Sequence, residues 1–189
     1  MEPIFTIPYA EFRVASELEK LFPRRQGFSL FVPTSRQEAG VDLILTRRTA
    51  GQRRSVAFQV KGSRPYLAGE SKRKTSRLFA YDSWFKKFVV PKQAEWFLLI
   101  AFYPGQNGAK RGKPESVWKH VTLAFTKAEM RQFIRRVKCR SGKPDRFFGF
   151  SFSESARVFQ SRGDKDRRFL EFSDKLLVRR RREIRKLFV

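Results

Sequence analysis

Two short segments carry polar residues where apolar ones are otherwise the rule. Asp42 lies in Val41 to Thr46, and Gln59 and Lys61 lie in Val56 to Lys61. Side chains of a strand alternate between its two faces. Val41, Leu43 and Leu45 therefore face one way, and Asp42 and Ile44 the other. In the second segment Val56, Phe58 and Val60 oppose Gln59 and Lys61. If the segments pair as a hairpin, an acid, an amide and an ammonium meet on one face. With flanks this apolar, solvated surface is a poor account of that cluster. The chain has one cysteine, Cys139, and one histidine, His120. These counts exclude an internal disulfide and a Cys/His zinc cluster, so any metal must be held by oxygen.

A further carboxylate comes from a helix. Val14, Leu18, Leu21 and Phe22 repeat at i, i+4, i+7 and i+8, which predicts a helix over Tyr9 to Phe22, stopped by Pro23. At about 100° per residue, Glu11 lies about 60° from Val14, at the edge of the apolar stripe. Glu17 and Glu19 are expected to point away. Glu11 is then the helix acid that looks inward.

This set resembles the PD-(D/E)xK nuclease superfamily, on Glu11 in Ala10-Glu11-Phe12, Asp42 in Gly40-Val41-Asp42-Leu43, and Gln59 and Lys61 in Phe58-Gln59-Val60-Lys61-Gly62. It looks like the QxK branch, found in Mrr-type restriction enzymes and in small homing-endonuclease-like nucleases. The likeness is close over roughly residues 9–62. Gln59 stands where the commoner pattern has an acid, and Val41 where it has proline. The resemblance implies a restriction-endonuclease-like α/β fold, with a mixed central sheet flanked by helices. It also implies a Mg²⁺-dependent endodeoxyribonuclease, for which Mn²⁺ is a substitute. Asp42, the Gln59 amide oxygen, the Val60 carbonyl and Glu11 would be the metal ligands, and Lys61 would orient water or stabilise developing charge. One metal or two is left open. A homodimer is implied too, since cutting both strands takes two sites. The alternatives are a Holliday-junction resolvase of the same fold and a non-catalytic nucleic-acid-binding protein.

Charge points independently to a polyanion. The 189 residues include 42 Lys or Arg and 18 Asp or Glu, a formal net charge of +24. Self-repulsion on that scale is best tolerated with nucleic acid as partner. The chain is 41% hydrophobic with 21 Phe, which argues against a disordered basic tail. The run Trp96 to Pro104 is far short of the roughly 20 residues of a membrane span, and Met1-Glu2-Pro3 does not open a signal peptide. A cytoplasmic protein without a small-molecule cofactor is expected. It would form a single domain, with a core of about residues 4–140 and a C-terminal extension of about 141–189.

The remaining elements are read from pattern. Strands are expected over Gly27 to Val32, Val41 to Thr46, Ser55 to Lys61, Trp96 to Tyr103 (buried on both faces) and Val117 to Phe125. Thr126-Lys127-Ala128-Glu129 fits a capping box before a stripe of Met130, Phe133, Ile134 and Val137. Arg146 to Phe152 holds four Phe and reads as core. A helix is expected from about Ser173, with Leu177, Ile184, Leu187 and Phe188 on one side and Lys175, Arg179, Arg182 and Lys186 on the other. That basic stripe has three candidate uses: DNA contact, support of an oligomer, or plain solvation. Arg179 to Arg182 also resembles a localisation tag.

The segment Gly62 to Arg77 reads as a basic loop. Arg64, Lys72, Arg73, Lys74 and Arg77 are its expected phosphate contacts. There and in Trp84 to Lys87, basic and aromatic residues interleave as in surfaces that grip phosphates and stack on bases. Gln37 and Glu38 read as solvated loop, and His120 and Cys139 as structural residues.

Overall fold

The computed structural model describes residues 9–33, 40–49, 51–63, 65–67, 81–104, 118–152, 157–166 and 170–189. Helix α1 (Tyr9–Leu21) leads into β1 (Phe28–Phe31), β2 (Leu43–Thr49) and β3 (Gln52–Ser63), an antiparallel meander. The chain next contributes β4 (Pro65–Leu67) and β5 (Tyr81–Lys86). It then returns as β6 (Trp96–Pro104), parallel to β3, and β7 (Trp118–Thr126), antiparallel to β6. Helix α2 (Lys127–Arg136), strands β8 (Phe147–Phe152) and β9 (Val158–Arg162), and helix α3 (Leu177–Lys186) follow. The first sheet has the order β1-β2-β3-β6-β7 and the second β4-β5-β8-β9. The protein is thus mixed α/β with a five-stranded mixed sheet.

The first sheet is the middle layer, and strand alternation assigns its two faces. Phe58, Val60, Leu98 and Ile100 point to a core formed with Val14, Leu18 and Phe22 of the α1 region and with Leu177, Ile184 and Phe188 of the α3 region. Phe97, Leu99, Leu123 and Phe125 point the other way. They meet Met130, Phe133 and Ile134 of α2 and Phe85, Phe148, Phe150 and Phe152 of the second sheet. Helices thus flank the first sheet on both faces, two on one and one on the other, where a second sheet joins it. Residues 141–189, expected as an extension, supply two strands to one core and a helix to the other.

The capping box at Thr126 is present. The Thr126 N–H donates to Glu129 Oε2 at 2.8 Å, and the Glu129 N–H donates to Thr126 Oγ1 at 3.2 Å. Glu129 also receives Lys175 Nζ at 2.9 Å and Arg180 Nη2 at 2.8 Å. The Arg180 guanidinium meanwhile lies 5.1 Å from the Trp96 ring centroid. Burial pushes the Glu129 carboxyl up, but hydrogen bonds from Thr126 and Lys175 and the charge of Arg180 outweigh it and hold the group below its usual range. A lowered carboxyl contributes stability above its unfolded value, which disappears as pH falls through the folded one. Glu129→Gln keeps the capping geometry and removes the charge. Wild type is therefore expected to be more stable by about 1 kcal/mol at pH 7, with the gap closing below about pH 4.3 in urea titrations.

Two helix expectations need correction. The C-terminal helix starts at Leu177, after a 3-10 turn over Ser173–Lys175. Lys175 is therefore off the helix, 17% exposed and bound to Glu129 and Asp174, not part of the basic stripe. Glu17 does not point away from α1's packed face: its carboxylate accepts from Thr122 Oγ1 at 2.7 Å and lies 3.4 Å from His120 Nε2. Residues three before and three after Val14 both fall about 60° from it, so Glu11 and Glu17 flank the stripe alike. Among the described residues no helix is long and apolar enough to cross a membrane.

Candidate metal and phosphate site

The site forms where β2 ends and β3 continues. Register pairs Leu43 with Phe58, and the Asp42 N–H donates to the Phe58 carbonyl at 2.9 Å, so Asp42 stands beside the Phe58–Gln59 stretch of β3. Beyond this point β3 keeps β6 on one side, with Gln59 beside Phe97 and Lys61 beside Leu99. On its other side the Asp42 side chain takes over from the strand, and its Oδ2 accepts the Val60 N–H at 2.7 Å. The N–H and C=O of a strand residue point to the same edge. The Val60 carbonyl therefore lies on the Asp42 side, past the end of β2.

Gln59 is the unusual member. It is 7% exposed, and its Oε1 has no hydrogen-bond partner. A buried amide oxygen left unpaired costs roughly 1–3 kcal/mol, a cost that a bound cation, which takes up the oxygen's lone pair, would remove. Lys61 is half-buried on the same face, with its ammonium 5.5 Å from the Phe88 ring centroid. Phe88 in turn stacks on Phe97, which fixes the aromatic floor beneath that charge.

Two framing residues carried no chemical signature in the sequence. Gly40 has φ +87°, and a Cβ there would sit 2.5 Å from Pro91 Cγ and 3.3 Å from Gln59 Nε2. The glycine lets the chain pass between Pro91 and the Gln59 amide just before Asp42. A glycine two residues ahead of the acid was the available hint. Phe88 is placed by the loop after β5, and no local pattern announced it.

Glu11 is half-buried and starts from the opposite face of the sheet, because α1 covers the Val60 side. It nevertheless lies at the right end. A Cβ on Gly62, the residue after Lys61, would be 2.9 Å from the Cβ of Ala10, the residue before Glu11. Among the described residues no three His, Cys, Asp or Glu side chains cluster as a metal centre. The oxygen donors here are one carboxylate, one amide and one carbonyl, with Glu11 one helix away.

Other candidate residues are dispersed. Arg64, Lys72, Arg73, Lys74 and Arg77 lie outside the described residues, as do Gln37 and Glu38. Arg179, Arg182 and Lys186 are exposed on α3, and an open groove is lined there by Arg179, Arg181, Arg182 and Arg185. His120 is held between Arg13 Nη2 at 3.2 Å and Glu17, so an acidic partner absent from its sequence neighbourhood comes from α1. Cys139 sits in the turn after α2. Its thiol is held below its usual range chiefly by a 3.0 Å hydrogen bond with Ser141.

No family model, curated protein or solved structure matches this chain.

Proposed function

We propose that the protein is a divalent-metal-dependent DNA endonuclease of the restriction-endonuclease-like fold, with its centre at Asp42, Gln59 and Lys61. The observation that carries this reading is the unpartnered, buried Oε1 of Gln59, facing the same side as Asp42 and Lys61 where β2 stops. The antiparallel meander with a parallel neighbour, β6, is consistent with the mixed sheet that the resemblance implies.

The donor set suits a hard cation. Mg²⁺ takes oxygen ligands and keeps several waters, so a site with few protein oxygens is ordinary for it. Asp42, the Gln59 oxygen and the Val60 carbonyl would hold it, with Glu11 as the accessory acid. When bound, the ion supplies Lewis-acid polarisation of the scissile phosphate and of a water. Gln59 contributes a neutral ligand, which leaves the charge of the ion less compensated than an acid would. Lys61, fixed over Phe88, stabilises negative charge developing on the phosphate oxygens and orients the attacking water. The Asp42–Val60 hydrogen bond keeps the carboxylate aligned with the end of β3. The net charge of +24 draws the polyanion to the protein, and the exposed arginines of α3 add phosphate contacts.

The reading is tested by incubating the protein with supercoiled plasmid, linear duplex and four-way junction DNA in Mg²⁺, Mn²⁺ or EDTA. Cleavage in either metal, abolished by EDTA and restored by adding metal back, is the expected result. Salt-sensitive binding of every substrate without cleavage in any metal would reject the nuclease and leave a binding protein. Preference for the junction would define a resolvase.

A further inference from the structure

We propose that the outer face of the second sheet is a stacking site for an unpaired nucleotide of a DNA strand. The proposal takes its ligand class from the nucleic-acid reading above and adds that part of the bound DNA is single-stranded.

Inward-facing Phe85, Phe148 and Phe150 leave Trp84 and Phe147 on the opposite face, 41% and 38% exposed. Register sets two rows there. Trp84 of β5, Gly149 of β8 and Arg162 of β9 form one, and Lys86 and Phe147 form the next. The Arg162 guanidinium lies 5.1 Å from the Trp84 centroid and 5.0 Å from that of Phe147. Asp145 holds it through two hydrogen bonds of 3.1 Å, so its plane is fixed and its charge is paired. Gly149 makes room for the indole, since a Cβ there would lie 2.6 Å from Trp84 Cδ1. An indole and a phenyl ring, both part-exposed, and a half-buried guanidinium lying over them therefore form one π-rich cluster.

Charge selects the occupant. A cleft of about 420 Å³ runs beside Trp84 and Arg162, lined by Lys138 and Arg140 and by the carboxylates of Asp164 and of Asp145, the latter paired with Arg162, and Lys86 is exposed next to Phe147. Bases stack on aromatic rings and guanidinium planes, and flanking cations take the phosphates. In a duplex both faces of a base are already stacked, so the ligand must be unpaired. Position ties the cluster to the metal site: Ser63, two residues after Lys61, donates its hydroxyl to the Trp84 carbonyl.

Binding in EDTA tests this independently of cleavage. Labelled oligodeoxythymidine, an abasic oligomer of equal length and a blunt duplex are titrated with wild type, Trp84→Ala and Trp84→Phe by fluorescence anisotropy. Wild type should bind the thymidine oligomer at least about fivefold more tightly than the abasic one, the low end of what one stacked base contributes. Trp84→Ala should remove that preference, Trp84→Phe should keep most of it, and duplex affinity should change less than about twofold. No preference in wild type overturns the proposal, as does an equal loss on all three ligands. Cleavage without base-dependent binding would sink the stacking site and spare the nuclease. Base-dependent binding without cleavage would do the reverse.

Discussion

Asp42→Asn is expected to lower metal-dependent DNA cleavage by about a thousandfold while leaving DNA affinity in EDTA within about twofold of wild type. The amide oxygen of Asn can still accept the Val60 N–H that Oδ2 accepts at 2.7 Å, so the junction of β2 and β3 survives. What disappears is the one negative charge among Asp42, Gln59 and Lys61, and with it most of the cation's affinity. Lys61→Met separates the roles. It keeps an apolar stem over Phe88 and removes the ammonium, so chemistry should fall by about 10²–10³ with metal affinity preserved, as for loss of one charge-stabilising group. Single-turnover cleavage with calorimetric Mn²⁺ titration would check both. Normal cleavage by Asp42→Asn would remove the site from consideration.

The site was legible in outline because pleat alternation is strict: period two put Gln59 and Lys61 on one face, and apolar neighbours made polar residues conspicuous. The partner strand was inferred from proximity along the chain, which works for a hairpin closed by a short turn. What could not be read was depth. Gln59 is buried because Gly40 and Pro91 close over it, and Pro91 comes from a loop some thirty residues downstream. Glu11 shows the opposite limit. Helical periodicity found its edge position but was silent on which sheet face α1 would cover, and it misjudged Glu17, which is the mirror of Glu11 about Val14.

The second sheet illustrates why non-local pairing escapes pattern. Phe148, Phe150 and Phe152 alternate with Gly149 and Ser151, a clear one-sided strand signal that reads locally only as an aromatic core segment. Its partner, Tyr81–Lys86, lies more than sixty residues earlier and is paired through Tyr81 to Phe152 and Lys86 to Phe147. Nothing local links the two. The same gap hid the cluster formed by Trp84, Phe147 and Arg162, although Trp84 to Lys87 already stood out as basic and aromatic.

Phe148→Ala carries the largest expected effect on stability, because this ring joins the layers. It is fully buried and stacks on Phe85 at 5.4 Å. It also meets Phe133 of α2 edge-on at 5.2 Å and Phe88 at 6.4 Å. Truncating a buried Phe typically costs about 3–5 kcal/mol, a large fraction of the 5–15 kcal/mol available to a whole domain. The consequence reaches the candidate site through Phe88, which supports the Lys61 ammonium. If the two sheets fold as one unit, urea titration of Phe148→Ala followed by far-ultraviolet circular dichroism and by Trp fluorescence should show coincident transitions at a much lower midpoint. Cleavage would then be lost at the same urea concentration. Separated transitions, with cleavage outlasting the loss of the second sheet, would mean that the first sheet and α1 stand alone.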